Sequence, residues 1–263
     1  MKLLIANKKN AAVFVSIFNH LTKFSDSLNI VFNTDNMYIQ GMDSSHVSMF
    51  EIRIFSDWFE SYKCEKSMTI GVPTGILYKV LNAGDENQLL FLEYEEDSDK
   101  LGINFKNLKA DQKYFPKEFE IPLIDLETDM LQVPECDYDM VAKLPIKSLS
   151  TIVDQLCIFG DNMTVEINDS PKMNFSSDGH EGNMCVNMVD DGKEFTDEFS
   201  VTCDVDIKLQ YSLKYLQMFT SFSKVNKDVT IKMSEGTPFE MYYHMENSEN
   251  SFVRFFLAPK VDD

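Results

Sequence analysis

The sequence predicts an α+β fold in which two similar domains are built from antiparallel sheets with helices on one face. Apolar residues recur at helical spacing in four segments, and short alternating strands follow each of them. Short turns, not helical crossovers, join these strands, which favours antiparallel pairing. Four such units in one chain indicate an internal duplication.

An acidic segment at the middle of the chain is predicted to connect the two domains. Residues 118–142 carry eight acidic side chains, no basic one and no glycine. A flexible tether would be rich in Gly and Ser, whereas Leu123, Leu126 and Leu131 are apolar, so we expect an extended connector strapped across an apolar surface. The alternative is an amphipathic strand and loop within one large domain.

The length of the chain, 263 residues, suits two domains of about 130 residues each. The predicted division is an N-terminal domain at 1–120, a connector at 121–138 and a C-terminal domain at 139–263.

The first half of the chain opens on a long helical stripe. Val13, Ile17 and Leu21 stand at helical spacing in a helix predicted over Lys8–Phe24. The elements predicted after it are two strands within Leu28–Gln40, strands at Val47–Phe55 and Ser61–Ile70, a helix at Thr74–Leu81, and strands at Leu89–Glu95 and Leu101–Phe105.

The second half of the chain repeats this order of elements. The predictions are a helix at Lys147–Phe159, strands at Met163–Ile167 and Met173–Ser176, a helix at Leu209–Phe222, and strands at Val229–Met233 and Phe239–His244.

The polar faces of the four helices are almost free of acid, although the chain has a net charge of −19. They are predicted to present Ser16, Asn19 and Lys23; Lys79 and Asn82; Lys147, Thr151 and Asp154; and Lys214, Gln217, Ser221 and Lys224. Only Asp154 is acidic. Because a nucleic-acid footprint must accept phosphate charge, this distribution favours a polyanion as the partner of the helices. Polar faces without such a function are the alternative.

Composition argues against several other classes of protein. No apolar run reaches the roughly 18 residues that a membrane span needs, and the apolar part of the amino terminus is too short for a secretory signal. We therefore expect an intracellular protein without a membrane partner. The five cysteines are never close together, which fits reduced thiols better than disulfides or zinc. No metal and no cofactor is predicted.

Four segments carry a more specific pattern. They are Gly41–Phe50 (GMDSSHVSMF), Gln132–Glu135 (QVPE), Phe159–Asp161 (FGD) and Phe256–Asp263 (FLAPKVDD). Together with the acidic connector, they resemble in collinear order the proliferating cell nuclear antigen family of eukaryotic and viral DNA sliding clamps.

This resemblance implies a DNA-clamp fold and a homotrimeric ring whose helices line a channel around duplex DNA. Such a clamp tethers DNA polymerase and other replication and repair proteins, and so acts as a processivity factor without being an enzyme. It raises the effective concentration of a bound partner at the template. A clamp loader is an implied partner, and the nucleus, or a viral replication compartment, is the implied location.

The resemblance also implies which residues face DNA. Lys79 and Lys214 match positions where the family has a channel-facing basic residue, and Lys23, Lys147 and Lys224 are expected to join them, with Lys8 and Lys9 as further candidates. The channel is expected to be less positive than in the family. Residues without a positive charge stand at six usually basic positions: Val15, Ser16, Thr22, Thr151, Asp154 and Ser221.

A pocket for partner peptides is implied beneath the connector, where two aromatic anchors and one aliphatic anchor of the peptide would dock. Its apolar floor and its extended tail suit side-chain anchors and strand-like backbone pairing. The expected residues are Met42, His46, Val47, Met49, Leu131, Val133, Tyr138, Pro238, Phe256, Leu257, Ala258, Pro259 and Val261.

Ring closure requires that edge strands of neighbouring subunits pair. The resemblance places this contact on Tyr114–Ile121 and Gly182–Met188. The expected contact residues alternate along these two strands: Phe115, Lys117 and Phe119 on the first, and Met184, Val186 and Met188 on the second.

Two other functions are alternatives to a sliding clamp. One is a polymerase accessory factor, monomeric or part of a mixed ring, that is held on DNA by charge. The other is a hydrolase that uses Ser45 and His46. Because the adjacent residues Asp43–His46 cannot aim their side chains at one another as a triad does, no catalytic residue is predicted.

Overall fold

The computed structural model describes residues 1–85, 87–107, 114–127, 130–133, 135–169, 172–190 and 199–260. The chain divides into two compact units. The first comprises Met1–Ser44, Glu51–Gln132 and Met245–Val253, and the second comprises Ser45–Phe50, Val133–His244 and Arg254–Asp263.

The first unit begins with a strand, a long helix and a series of hairpins. Its elements are β1 (Lys2–Ile5), α1 (Lys8–Leu21), β2 (Ser27–Phe32), β3 (Asn36–Met42), the end of β4 (Ser48–Phe55), a 3-10 turn (Ser56–Trp58), β5 (Ser61–Lys63), β6 (Met68–Pro73), α2 (Thr74–Leu81), β7 (Gln88–Glu93), β8 (Lys100–Asn107) and β9 (Lys117–Pro122).

The second unit follows the same succession. Its elements are β10 (Met140–Pro145), α3 (Ile146–Leu156), β11 (Asn162–Asp169), β12 (Lys172–Gly179), β13 (Gly182–Val189), β14 (Ser200–Cys203), β15 (Ile207–Ser212), α4 (Leu213–Thr220), β16 (Asp228–Met233), β17 (Phe239–His244) and most of β18 (Phe252–Leu257).

The two units repeat one topology. In the first, the strand orders are β5-β1-β7-β8-β9 and β6-β2-β3-β4; in the second, they are β14-β10-β16-β17-β18 and β15-β11-β12-β13. Each order in the second unit is the first-unit order shifted by nine strands, and α3 and α4 take the places of α1 and α2. The predicted α+β class with antiparallel sheets is confirmed, and the internal duplication appears as matching strand orders.

Each unit buries the apolar stripes of its helices. In the first, Phe14, Ile17 and Phe18 of α1 are fully buried. The side chain of Asn7 caps this helix by accepting from the N–H of Lys9 at 2.8 Å. In the second, α3 follows Pro145, and its apolar face buries Leu149, Val153 and Leu156. Packing of these stripes positions the opposite helix faces.

Two predicted elements were wrong in part. The predicted helix Leu209–Phe222 begins at Leu213, because Ile207–Ser212 is strand β15, with Leu209 opposite Val165 and Tyr211 opposite Met163. Alternation of buried residues therefore overrides helical spacing there. The predicted strand Ser61–Ile70 is broken by a turn at 64–67, where the thiol of Cys64 donates to the carbonyl of Lys66.

The Phe159-Gly-Asp motif has a packing explanation. The strand end at Gly179 passes so close to this loop that a Cβ on Gly179 would lie 1.7 Å from the carbonyl oxygen of Phe159. A Cβ on Gly160 would lie 2.8 Å from the carbonyl oxygen of Asp178. Both glycines thus allow two backbones to touch.

Among the described residues, no helix is long and apolar enough to cross a membrane.

Candidate functional site

The five lysines predicted to face DNA are exposed. They are Lys23, Lys79, Lys147, Lys214 and Lys224. Within the first unit α1 packs against α2, and within the second α3 packs against α4. Lys79, Lys147 and Lys214 lie on α2, α3 and α4, whereas Lys23 and Lys224 follow the ends of α1 and α4. Each helix pair thus carries exposed positive side chains, which suits weak, sequence-independent phosphate contacts.

Other polar residues of the helices behave differently from their predicted roles. Ser16 was predicted on the polar face of α1 but is 6% exposed, because it lies on the packed side of the helix; that prediction was wrong. Asp154, the acid on α3, is exposed and accepts from the side-chain amide of Gln217 at 3.0 Å. This bond links α3 to α4 but leaves the negative charge of Asp154 in place.

The tail after β18 is fixed to the second unit by backbone hydrogen bonds. The N–H of Ala258 donates to the carbonyl of Val47 at 3.0 Å, and the N–H of Lys260 donates to the carbonyl of Gln210 at 2.8 Å. Two predicted pocket members, Val47 and Ala258, are therefore neighbours. Val261, also predicted for the pocket, lies outside the described residues.

The predicted pocket residues of the second unit differ in accessibility. Met49, Phe256 and Leu257 are 7%, 3% and 0% exposed and belong to the packed layer. Accessible surface is offered by the remaining members: His46, Val47, Val133, Tyr138, Pro238, Ala258 and Pro259. A ligand would thus meet these side chains first.

His46 stands out because its backbone is left-handed, with φ of 55°. This conformation is uncommon for a residue other than glycine. It lies in an exposed turn just before β4, so the imidazole is presented to solvent by the fold of the turn.

Tyr138 lies beside a charged pair whose carboxylate is buried. Its ring lies 5.7 Å from the ammonium of Lys232, which pairs at 3.1 Å with the carboxylate of Glu240, itself 3% exposed. Burial, and then the charge of Glu240, raise the pKa of Tyr138 well above its usual value. The N–H of Asp139 donates to the hydroxyl of Ser234 at 2.6 Å and fixes the chain next to Tyr138.

The connector is attached to the first unit by backbone bonds at its start. The N–H of Leu123 donates to the carbonyl of Asp99 at 2.8 Å, and that of Ile124 donates to the carbonyl of Gly71 at 2.9 Å. Ile124 and Gly71 form an isolated antiparallel bridge at the edge of β6. The predicted extended connector is thus seen strapped to a sheet at this point.

Two side chains hold the connector further along. The amide of Asn29 donates to the carbonyl of Leu126 at 3.2 Å. The amide of Gln40, oriented by its hydrogen-bond partners, accepts from the N–H of Leu131 at 2.8 Å and donates to its carbonyl at 3.2 Å. Leu131 and Met42, the predicted pocket members in this unit, are partly exposed.

The contacts of Gly71, Asn29 and Gln40 with the connector were not predicted from the sequence. One signal was available, because a glycine inside an apolar strand often marks a close approach of another backbone. The two amides gave no local signal, since their partners are about ninety residues away in the chain.

The strands predicted for subunit contact lie at sheet edges. Among the described strands, β9 pairs with β8 and β13 pairs with β12, each on one side only. Phe115, just before β9, is 80% exposed. Met184, Val186 and Met188 are half-buried, whereas Asn183, Cys185 and Asn187 are exposed. Lys117 is engaged within the unit, where its ammonium donates to the carbonyl of Ala83 and the carboxylate of Asp85.

The chain is similar to known proteins over nearly its whole length. Family models for the N-terminal and the C-terminal domains of proliferating cell nuclear antigen match residues 3–132 and 132–261. The chain is 28% identical to "Proliferating cell nuclear antigen" of Dictyostelium discoideum over 96% of its own length and 97% of the relative. It is 27% identical to "Proliferating cell nuclear antigen 1" of Plasmodium falciparum, covering 99% and 98%.

The protein is a DNA sliding clamp that serves as a DNA polymerase processivity factor. This class follows from the matches together with the duplicated α+β units and the acid-poor helix faces. The chain belongs to the proliferating cell nuclear antigen family. The predicted family, fold class and function are thereby confirmed. This family is one of non-enzymatic clamps. In the described parts of the chain, no cluster of His, Cys, Asp and Glu has the arrangement of a metal site.

Proposed function

We propose that three copies of this chain close into a ring through β9 of one copy and β13 of the next. The duplication carries this proposal. Within the second unit, Ala258, directly after β18, bonds to Val47, directly before β4. The counterparts of β18 and β4 are β9 and β13, and these two strands are sheet edges in the described chain. Paired edges between copies would repeat the contact that the end of β18 and the start of β4 make within the second unit.

The proposed contact residues follow from the two edges. They are Phe115, Lys117 and Phe119 beside Met184, Val186 and Met188. The three half-buried residues of β13 alternate with exposed ones, so one face of this strand packs within its own unit. Pairing with a neighbour would use the backbone groups on the uncovered edge of β13. Lys117 is expected to act mainly through its bonds to Ala83 and Asp85, which fix the start of β9.

In this ring the lysine-bearing helix faces would surround duplex DNA. The contacting residues are Lys23, Lys79, Lys147, Lys214 and Lys224. Because these charges are few and separate, each contact with phosphate is expected to be weak, which allows sliding. Clamp loader, DNA polymerase and other replication and repair proteins are the proposed partners, without catalysis by the clamp itself. The eukaryotic relatives support a nuclear location.

Partner peptides are proposed to bind the accessible residues around the tail and connector. In the second unit, contact would be made by His46, Val47, Val133, Tyr138, Pro238, Ala258 and Pro259, with Met49, Phe256 and Leu257 packed beneath them. Met42 and Leu131 are proposed as peptide contacts on the first unit. Val261 remains a sequence prediction. We retain the division of the chain at 1–120, 121–138 and 139–263 as part of this proposal.

Linearisation of loaded DNA tests topological binding. The protein is loaded by a clamp loader onto nicked circular DNA and isolated, and the circle is then cut at one site. A ring is expected to slide off the cut DNA while remaining on uncut circles. Retention on the cut DNA, with release by salt from both forms, would instead support an accessory factor held by charge.

A further inference from the structure

The edge strands β6 and β15 occupy equivalent places in the two units. Gly71 is the fourth residue of β6 and pairs with Asn29, and Gln210 is the fourth residue of β15 and pairs with Thr164. The carbonyl of each accepts a backbone hydrogen bond, from Ile124 of the connector and from Lys260 of the tail respectively. Connector and tail are therefore duplicated straps, that is, segments that each bond to the equivalent position of an equivalent edge strand, β6 in the first unit and β15 in the second.

The two strap positions differ in the side chain they tolerate. A Cβ on Gly71 would lie 2.2 Å from the carbonyl oxygen of Ile124, a distance at which the connector backbone must move. The backbone of Gly71 is not left-handed, so the glycine is needed for space and not for its φ angle. At the tail, Gln210 occupies the equivalent position with a full side chain.

Beyond Gly71, the connector meets two amide side chains in succession. Asn29 holds the carbonyl of Leu126, and Gln40 holds both backbone groups of Leu131. All three attachment points lie on neighbouring strands of one sheet, since β6, β2 and β3 are consecutive in it. Because they act on residues 124, 126 and 131, they fix the register of the segment that leads to the proposed peptide contact.

We propose that Gly71, Asn29 and Gln40 are positioning residues that set the register of the connector and so present Leu131 to partner peptides. This inference rests on the proposed peptide site. None of the three residues needs to touch the peptide. Their role is to reduce the number of connector conformations that a peptide would otherwise have to select.

The test compares Gly71→Ala with Gly75→Ala, using the full chain. Gly75 is a matched control because a Cβ there would have no atom within 4 Å. Backbone hydrogen exchange at Ile124 and Leu131 reports the connector. Binding of a labelled synthetic peptide with one aliphatic and two aromatic anchors reports the proposed site, and thermal unfolding reports the fold.

The expected result for Gly71→Ala is faster exchange at Ile124 and Leu131 and peptide affinity about tenfold weaker, which is the order of one or two lost hydrogen bonds. Thermal unfolding and self-assembly should change little. Gly75→Ala should leave exchange and affinity as they are. Gln40→Met, which keeps the length but removes both bonds to Leu131, should reproduce the effect at Leu131 and decides the matter if Gly71→Ala does not fold.

Leu131→Ala distinguishes a failure of the proposed peptide site from a failure of the positioning role. If it leaves peptide affinity unchanged, the proposed peptide site is wrong. If it weakens binding while Gly71→Ala and Gln40→Met do not, the site stands and the positioning role is overturned. Unchanged exchange at Ile124 in Gly71→Ala, or equal effects of Gly75→Ala, would also overturn it.

Discussion

The two units of this chain share one topology but close their sheet edges differently. The edge of β6 is covered by the connector, whose attachment adds the side chains of Asn29 and Gln40 to a backbone bond. The edge of β15 is covered by the tail, through the backbone bond of Lys260 to Gln210. The edges of β9 and β13 have no neighbour within the described chain. A duplicated fold can thus keep its strand order while assigning its edges to different tasks.

The largest expected effect concerns the uncovered edges. Val186→Lys places a charge on the half-buried side of β13, and we expect the subunit dissociation constant to rise about a hundredfold, or about 2.8 kcal/mol, because an ammonium must be desolvated on assembly. Sedimentation equilibrium measures this change. Asn187→Lys, on the exposed side of the same strand, is the control and should have a clearly smaller effect. Parental assembly of Val186→Lys would show that β13 is not the contact strand.

A second substitution pair compares the two straps. Ile124→Pro and Lys260→Pro each remove the N–H that bonds to the edge strand. Each lost bond is expected to cost about 1 kcal/mol locally and to increase protease sensitivity of its own strap. Ile124→Pro should not loosen the tail, nor Lys260→Pro the connector. Loosening of both straps by either change would contradict their independence.

Helical periodicity predicted all four helices, because the residues that produce it are close in sequence. Helical spacing misled the prediction at Leu209–Ser212, where four residues fit either pattern and pairing with β11 decides for a strand. The strap contacts depend on residues far apart in sequence, so the fixing of Leu131 by Gln40 required the structure. Burial of Phe256 and Leu257 was hidden as well, because an apolar residue reads alike in a pocket and in a core.

A smaller effect is expected on DNA binding, where lysines on the helices should contribute more to the salt dependence than lysines elsewhere on the surface. Lys79→Ala on α2 and Lys214→Ala on α4 should each lower the salt dependence of DNA binding by about 0.9 in log–log slope, since one phosphate contact is lost. Lys63→Ala provides the control, because Lys63 is exposed on strand β5 and not on a helix. Equal slopes for all three variants would argue against DNA contact by these helix faces.

The smallest effect concerns the phenol of Tyr38, which lies near the buried carboxylate of Glu51. Burial, and then the charge of Glu51, raise the pKa of Tyr38 from 10.0 to about 12. Because the folded state holds the proton more tightly, this contribution to stability is complete below pH 10 and is lost as pH rises towards 12. Tyr38→Phe should therefore flatten the decline of unfolding free energy above pH 10. An unchanged decline would show that other groups cause it.

The assembly of the chain tests the central claim most directly. Light scattering after size exclusion gives the mass in solution without any DNA or partner. We predict a species of three times the 30.3 kDa of one chain at micromolar concentration. A mass of one chain over the same concentration range would contradict a ring closed by β9 and β13.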